Sequence, residues 1–352
     1  MLIKKTRFKI ELILFLCFGI LFIKALPTAG EKTQSPMQGK DEQTALLVVE
    51  YAAGNEVLLN KKTGRIQIPT PTIPPTPLPT ATPVPSAPVP MQTVRVADMI
   101  GKTYVMEDLL QVSYLKDHLY IVNATTKMTT EDFDVKYFIE KDLSLEKSEE
   151  PQILIFHTHA SEGFVDSRPG EAEDTVIGVG NLLTEILEEK YGYNVIHDTS
   201  VFDRKNGKDN RNYAYNDALK HLEQVLKEYP SIEVVIDLHR DAGAKRVVNI
   251  DGKQTAKVML FNGLCRNTKG KLNYLPNENL KDNLAFSFQM KLIGDEMYPG
   301  LMNRIFLKDY RYNMHLKERF LLVELGTEQN TVEEARNAME PLADVLGQVL
   351  GG

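Results

Sequence analysis

Short apolar runs alternate with amphipathic stretches along the second half of the chain. The run "ILIF" (153–156) predicts a buried strand, and "IEVVIDLH" (232–239) and "LLVELG" (321–326) predict two more. After the first strand, "DTVIGVGNLLTEILEEKYG" has helical spacing up to Gly192, and "AYNDALKHLEQVLKEYP" predicts a helix that ends before Pro230. Strands that alternate with helices predict an α/β fold with a mixed, mostly parallel sheet sandwiched by helices.

Weaker patterns complete this outline. The stretch "YNVIHD" (193–198) predicts a further strand, and "RVVNI" with "AKVMLFNG" predicts a hairpin around "DGK" (251–253). A long helix is predicted for "NENLKDNLAFSFQMKLIGDEMYPG" and a closing helix for "TVEEARNAMEPLADVLGQVL". Upstream, "MEDLLQVSYLKDHLYIVN" (106–123) is predicted to hold a helix and a strand.

The N-terminal third follows a different pattern. Basic residues precede an apolar run from about residue 10 to 26, near the lower length limit of roughly 17 residues for a membrane span. They predict a single-pass anchor in the cell membrane, with a cytoplasmic N-terminus and an extracytoplasmic body. A signal peptide cleaved near "ALPTAG" is the alternative. The stretch "IPTPTIPPTPLPTATPVPSAPVP" favours extended polyproline II and predicts a spacer.

Together these patterns predict five regions. They are residues 1–29, the cytoplasmic tip and transmembrane anchor; 30–67, a poorly patterned segment; 68–91, the Pro-rich linker; 92–150, a small N-terminal region; and 151–352, the main domain.

Composition and charge narrow the classes of function. The net charge of −7 argues against a nucleic-acid partner, which requires a basic face. With two cysteines, Cys17 in the apolar run and Cys265 alone, the chain has no disulfide framework. A zinc site in this chain must therefore use histidine and carboxylate ligands.

Such ligands follow three predicted strands. "ILIF" leads into His157, His159 and Glu162, "IEVVIDLH" ends in His239, and "LLVELG" carries Glu324. Functional groups of α/β sheets gather just past the carboxyl ends of the strands. We predict that His159, Glu162 and His239 bind Zn²⁺, with water in the fourth position of a catalytic site.

Other residues in and near these stretches are predicted to act in catalysis or in substrate binding. Glu324 is the predicted general base and acid. His157 is predicted either to support the metal ligands from behind or to polarise the substrate, and the competing assignment makes His157 the zinc ligand in place of His159. Arg240 and Asn313 are predicted to bind substrate, although an ion pair with Asp241 or Glu162 is an equal alternative for Arg240. A triad of Ser161, His239 and Asp241 would leave Glu162 and Glu324 unexplained.

At these residues the chain resembles the stage II sporulation protein P family of endospore-forming bacteria. The resemblance rests on "ILIFHTHASEGF", "YGYNVIHDTSVFD", "SIEVVIDLHRDA", "YNMHL" and "LLVELGTEQNT", and it spans roughly residues 151–352. It implies a zinc-dependent N-acetylmuramoyl-L-alanine amidase that also cleaves peptide cross-links of peptidoglycan, with a fold similar to zinc amidases and carboxypeptidases. It also implies septal wall remodelling and engulfment during sporulation, with a lytic transglycosylase and a recruiting membrane protein as partners.

The resemblance supports the assignment of His159, Glu162 and His239 as ligands and Glu324 as base. One departure is "PGEAEDTVIGVG", because classical cell-wall amidases take their ligand glutamate at the start of this helix. Glu171 or Glu173 is therefore an alternative to Glu162. The alternative functions are a non-catalytic wall-binding or scaffold module and a metallocarboxypeptidase on wall peptides.

Overall fold

The computed structural model describes residues 46–50, 56–60, 66–67, 95–100 and 103–351. The predicted membrane anchor and the whole Pro-rich linker lie outside these ranges. No helix within the described ranges is long and apolar enough to cross a membrane. The chain divides into two compact units, Met1–Ser86 and Ala87–Gly352.

The first unit contains a small antiparallel sheet. Its strands are β1 (Leu46–Glu50), β2 (Glu56–Asn60) and β3 (Ile66–Gln67), with β2 in the centre. The first two strands fall in the stretches with a modest strand pattern, "TALLVVEYA" and "EVLLN".

The second unit contains the remaining elements. Its helices are α1 (Val96–Met99), α2 (Met106–Leu109), α3 (Val112–His118), α4 (Val135–Glu140), α5 (Val176–Glu189), α6 (Arg211–Glu228), α7 (Leu280–Met297), α8 (Val332–Asn337) and α9 (Met339–Val349). Its strands are β4 (Tyr120–Val122), β5 (Ile153–Phe156), β6 (Val195–His197), β7 (Arg204–Lys205), β8 (Lys208–Asp209), β9 (Val234–Asp241), β10 (Val247–Ile250), β11 (Lys253–Ala256), β12 (Val258–Gly263), β13 (Arg266–Asn267), β14 (Gly270–Lys271), β15 (Ile305–Lys308) and β16 (Arg319–Thr327). Single 3₁₀ turns occur at Ala172–Asp174 and Met314–Leu316.

Seven strands form the central sheet, in the order β4-β15-β12-β16-β9-β5-β6. All neighbouring strands are parallel except β12 and β16. The predicted mixed, mostly parallel α/β fold is confirmed.

Helices cover both faces of this sheet. Ile153 and Ile155 of β5 pack in one apolar core with α5, α7 and α9. Leu154 and Phe156 pack in a second core with α6. Because successive side chains of a strand point to opposite faces, the fully apolar run "ILIF" fits a strand buried on both sides.

Several elements differ from the predictions. The hairpin turn at Asp251 and Gly252, both with positive φ, joins β10 to β11, and not to the "VMLFNG" strand. That strand, β12, is entirely buried and joins the central sheet instead. The predicted closing helix is two helices, because Pro341 cannot donate to Asn337 and its ring would clash with that carbonyl group. The short strand β15 was not predicted.

Candidate metal centre

The sheet topology brings the three predicted strand ends together. β9 lies between β5 and β16, and all three are parallel, so their carboxyl ends meet at one edge. His157 and His159 follow β5 directly. Glu324 of β16 pairs in register with His239 of β9.

His159, Glu162 and His239 form a compact cluster at this edge. One ligand atom from each lies within 4.8 Å of the others, and it is the one such group of three among the described residues. Nδ1 of His159 lies 3.5 Å from Oε1 of Glu162, and Nδ1 of His239 lies 3.4 Å from Oε2. A turn in which Glu162 N donates to His159 O brings the glutamate back toward the histidine.

The cluster fits a divalent metal of the zinc type. Its donor set is two imidazoles and one carboxylate, as in catalytic zinc sites with an open position. Within the described chain, Nε2 of His159 is buried and makes no hydrogen bond. Buried polar atoms normally have a partner, so this ring nitrogen marks a site shaped for a ligand.

Two arginines surround the Glu162 carboxylate. The Arg240 backbone N donates to Oε2 at 3.1 Å, and Arg211 Nη1 lies 3.5 Å from Oε1. Burial by itself raises the pKa of Glu162. Contacts with His159 and His239 outweigh burial and hold that pKa well below its ordinary value, so the carboxylate is ionised and able to bind a cation.

Asp237 fixes the orientation of His239. The two residues lie two apart on β9, on the same face of the strand, and Nε2 of His239 makes an ion-pair contact of 2.7 Å with Oδ1 of Asp237. Asp237 is fully buried and accepts hydrogen bonds from Thr158 N at 2.8 Å and Thr158 Oγ1 at 2.7 Å. Burial lowers the pKa of His239, but the carboxylates of Asp237 and Glu162 outweigh it and raise that pKa well above its usual value.

Glu324 occupies the adjacent position on β16. Its Oε2 is buried without a hydrogen-bond partner in the described chain. Burial raises the pKa of Glu324 to about 7; the neighbouring His239 opposes this shift, and Glu162 adds to it. A carboxyl group with a pKa near neutrality can both accept and return a proton.

His157 faces away from the cluster. Its Nδ1 contacts the carbonyl O of Leu238 at 2.8 Å, and its Nε2 contacts Nε2 of His197 at 2.8 Å. Both ring nitrogens are therefore engaged. Burial lowers the pKa of both histidines to about 4, and the proximity of His197 contributes for His157.

The alternative acidic ligands are also engaged elsewhere. Glu173 accepts a hydrogen bond from Asn181 at 2.6 Å and lies 3.3 Å from Arg336. Glu171 is exposed, immediately before the 3₁₀ turn Ala172–Asp174. Neither lies in the His159 cluster, whereas Glu162 does.

The two residues predicted to bind substrate make internal contacts. Nε of Arg240 donates to the carbonyl O of Gly163 at 2.9 Å, and its Nη1 lies 3.8 Å from Oε1 of Glu162, while Asp241 pairs with Arg246. Nδ2 of Asn313 donates to the carbonyl O of Tyr215 at 3.0 Å. Substrate binding by Arg240 and Asn313 stays a prediction.

Sequence reasoning missed three residues of the site. Asp237, Arg211 and Tyr215 were not singled out. The Tyr215 ring stacks at 16° on His239 with centroids 6.5 Å apart, and it meets the His159 ring edge-on at 5.7 Å. Sequence spacing was the signal that could have found them. Asp237 lies two residues from His239 on a strand, and Arg211 lies four residues from Tyr215 on a helix, so each pair shares one face of its element.

Comparisons with known proteins point to one family. The family model described as Stage II sporulation protein P (SpoIIP) matches residues 105–347, more than half of the chain. The Stage II sporulation protein P of Bacillus subtilis (strain 168) is 26% identical over 214 residues, which are 56% of this chain and 50% of that protein. The chain thus covers about half the length of this curated relative.

Solved structures with a similar fold include two amidases. The apo form of the N-acetylmuramyl-L-alanine amidase Ami1 from Mycobacterium abscessus is 12% identical, with a TM-score of 0.36 over 57% of this chain and 98% of that chain. The N-acetylmuramoyl-L-alanine amidase from Clostridium difficile 630 is 14% identical, with a TM-score of 0.35 over 58% of this chain and 96% of that chain.

Proposed function

The chain belongs to the stage II sporulation protein P family, and on this premise we propose that it is a zinc-dependent peptidoglycan hydrolase. The proposed reaction is hydrolysis of the amide between N-acetylmuramic acid and the L-Ala of the stem peptide, with cleavage of peptide cross-links as a further activity. The observation that carries the proposal is the cluster of His159, Glu162 and His239, whose ligand atoms lie within 4.8 Å of one another.

Each residue of the site has a stated role in this proposal. His159, Glu162 and His239 hold the metal, and Asp237 orients His239. Bound there, Zn²⁺ supplies Lewis-acid activation of the scissile carbonyl and of water. Glu324 takes the proton of the attacking water and returns it to the leaving amine, a role suited to a carboxyl group whose pKa is about 7. His157 lies behind the cluster and supports the strand end through Leu238.

The proposal extends to the cellular setting. We place the protein in the cell membrane by a single N-terminal span, with the catalytic unit outside and the Pro-rich linker setting its reach to the wall. The proposed setting is septal wall remodelling and engulfment during sporulation. Its proposed partners are a lytic transglycosylase and a membrane protein that recruits both enzymes.

Metal content and reaction products test this function together. We expect about one zinc per chain, and release of intact stem peptides from purified peptidoglycan that stops with a chelator and resumes with zinc. The His239→Ala variant should lose both zinc and activity, whereas His221→Ala, a histidine that pairs with Asp198 outside the cluster, should keep both.

The products separate the alternatives. Mass spectrometry that finds intact stem peptides supports amidase activity. Single amino acids released from peptide ends would mean a carboxypeptidase. Wall binding without zinc or products would mean a non-catalytic module, and either result would overturn the proposal.

A further inference from the structure

The N-terminal end of α6 contributes a cation to the site. Arg211 is the first residue of this helix, and Tyr215, one turn later, packs on the rings of His159 and His239. Residues four apart share a helix face, so Arg211 and Tyr215 both face the cluster. The first turn of α6 therefore forms one side of the site.

The connection that precedes α6 is anchored at the same place. Asp203 accepts hydrogen bonds from the backbone N of Ser161, at 3.2 Å, and from the Ser161 hydroxyl group. Ser161 is the residue before Glu162 in the chain. Asn210 N donates back to the carbonyl O of Asp203 at 2.8 Å. Residues 204–211, which we call the basic hairpin, thus leave and rejoin the molecule at the rim of the site.

The basic hairpin carries an excess of positive charge. It carries Arg204, Lys205, Lys208 and Arg211 against a single acid, Asp209, in a chain whose net charge is −7. All four cationic residues are exposed. No carboxylate of the described chain pairs with Arg204 or Lys208, and Lys205 makes a long contact of 3.7 Å with Asp217.

Arg211 and Arg240 approach Glu162 differently. Arg240 is held by Gly163 at 2.9 Å and its side chain is 16% exposed. The Arg211 side chain is 41% exposed, and Glu162, at 3.5 Å, is its one ion-pair partner among the described residues. A metal that takes the charge of Glu162 leaves Arg211 without that partner. An anionic group of the substrate can then replace it, since a guanidinium group binds carboxylate bidentately.

We propose that Arg211, supported by the basic hairpin, binds the free α-carboxylate of the second stem-peptide residue, D-glutamate, and so selects stem peptides in which this group is not amidated. This inference rests on the proposed function. The carboxylate lies one residue beyond the scissile amide, and consecutive Cα atoms are about 3.8 Å apart. Of the carboxylates of the stem peptide, it is therefore the one nearest to the scissile amide. Arg211 is suitably placed for it, because Arg211 contacts Glu162, a proposed metal ligand.

Two matched substrates test this proposal on the full chain. One is a disaccharide tetrapeptide with free D-glutamate, and the other carries the same residue with its α-carboxyl amidated. We expect the wild-type KM to be lower for the free acid. Arg211→Gln should raise that KM roughly tenfold or more, as for loss of a charge-assisted hydrogen bond. Its KM for the amidated substrate should rise by a smaller factor, and kcat for the free acid should change less than KM for the free acid.

Three further variants complete the set. Arg211→Lys should restore part of the preference, because it keeps the charge without the bidentate geometry. The double variant Arg204→Gln with Lys208→Gln should weaken binding of the free acid by a smaller factor. Lys220→Gln, an exposed cation on α6 outside the first turn, should behave as wild type. Equal KM values of wild type for the two substrates would overturn the proposal.

Binding measurements separate this inference from the proposed function. Calorimetry measures the affinity for the isolated tetrapeptide, with its D-glutamate α-carboxyl either free or amidated. This affinity reports recognition of the carboxylate even if the chain hydrolyses no wall substrate. Tighter binding of the free acid that Arg211→Gln abolishes supports the inference. Equal binding of both peptides, together with competition by polyglycerol phosphate that Arg211→Gln removes, would overturn it in favour of an anionic wall polymer.

Discussion

Asp237 determines the orientation of the His239 imidazole ring in the cluster. Buried beneath Thr158 and 2.7 Å from Nε2 of His239, its carboxylate holds the imidazole so that Nδ1 faces Glu162. We predict that Asp237→Asn lowers zinc affinity about 10–100-fold, as removal of an outer-shell partner of a metal ligand typically does. Competition with a chelating dye measures the affinity.

The control for this change is Asp241→Asn, two residues further along β9. Its partner is Arg246, at 2.7 Å, rather than a histidine of the cluster. It should bind zinc as wild type does. If Asp237→Asn also binds zinc normally, Asp237 has no role in orienting His239.

Substitution of Glu324 tests catalysis separately from metal binding. We predict that Glu324→Gln keeps its zinc and its fold but loses about 10²–10⁴-fold in kcat, because glutamine cannot accept a proton. Glu328→Gln should keep full activity, because Glu328 is a half-buried glutamate outside the cluster whose carboxylate accepts a hydrogen bond from Gly243 N. Loss of zinc in Glu324→Gln would assign Glu324 to the metal, and normal turnover would remove it from the mechanism.

The sequence pattern could point to these candidate residues because they lie at strand ends. His159, Glu162, His239 and Glu324 follow apolar runs, and parallel strands bring such positions together. Arg211 and Tyr215 could not be found in this way. They enter from α6, whose packing angle on the sheet follows from side-chain contacts and not from hydrophobic periodicity.

At the scale of elements, the loop before β16 is held in a restricted conformation. Tyr312 and Asn313 have φ values of 48° and 60°, and the Tyr312 ring packs on Tyr215 at 5.3 Å between centroids. Gly263 permits this close approach, since a Cβ there would lie 2.1 Å from the carbonyl O of Tyr310. The loop thus supports the aromatic side of the site.

Substitutions of Asn313 test this interpretation of the loop. Asn313→Ala should lower the free energy of unfolding by about 2 kcal/mol, through left-handed strain of about 1–2 kcal/mol and the lost hydrogen bond to Tyr215. Asn313→Gly should cost less, because glycine adopts this φ freely. Urea denaturation measures both. Equal stability of the two variants, with reduced activity in both, would instead favour the predicted role in substrate binding.

The predictability of the elements followed their length and periodicity. α5, α6, α7 and β9 were predicted close to their observed bounds, because each has a long pattern and clear end signals. β15 has four residues, too few for a pattern to stand out. β12 pairs with β15 and β16, which are distant in sequence, so the local turn at Asp251 does not indicate its partners.

At the scale of the whole molecule, a half-buried histidine, His197, couples stability to pH. Burial lowers the pKa of His197 to about 4, whereas the unfolded value is about 6.5. The unfolded chain therefore binds more protons below pH 6.5, and the stabilisation from a neutral His197 is lost as pH falls from 6.5 to 4. The effect is on the order of 3 kcal/mol for a shift of this size.

Thermal unfolding of the full chain in excess chelator measures this dependence. His197→Asn should show a shallower loss of stability between pH 6.5 and 4 than wild type. His118→Asn is the control, because His118 lies on α3, away from the His157 pair. Parallel pH profiles for wild type and His197→Asn would contradict this account.

The position of β16 has a consequence in time. It comes after the other strands of the central sheet in the described chain, yet it lies in the middle of that sheet between β12 and β9, and it carries Glu324. During synthesis β9 and β12 are made before the neighbour they share, so the central sheet of this unit is completed only after β16 emerges from the ribosome. A nascent or prematurely terminated chain then has neither the centre of its sheet nor its proposed base. The proposed hydrolase activity would in this way be absent until β16 has been synthesised.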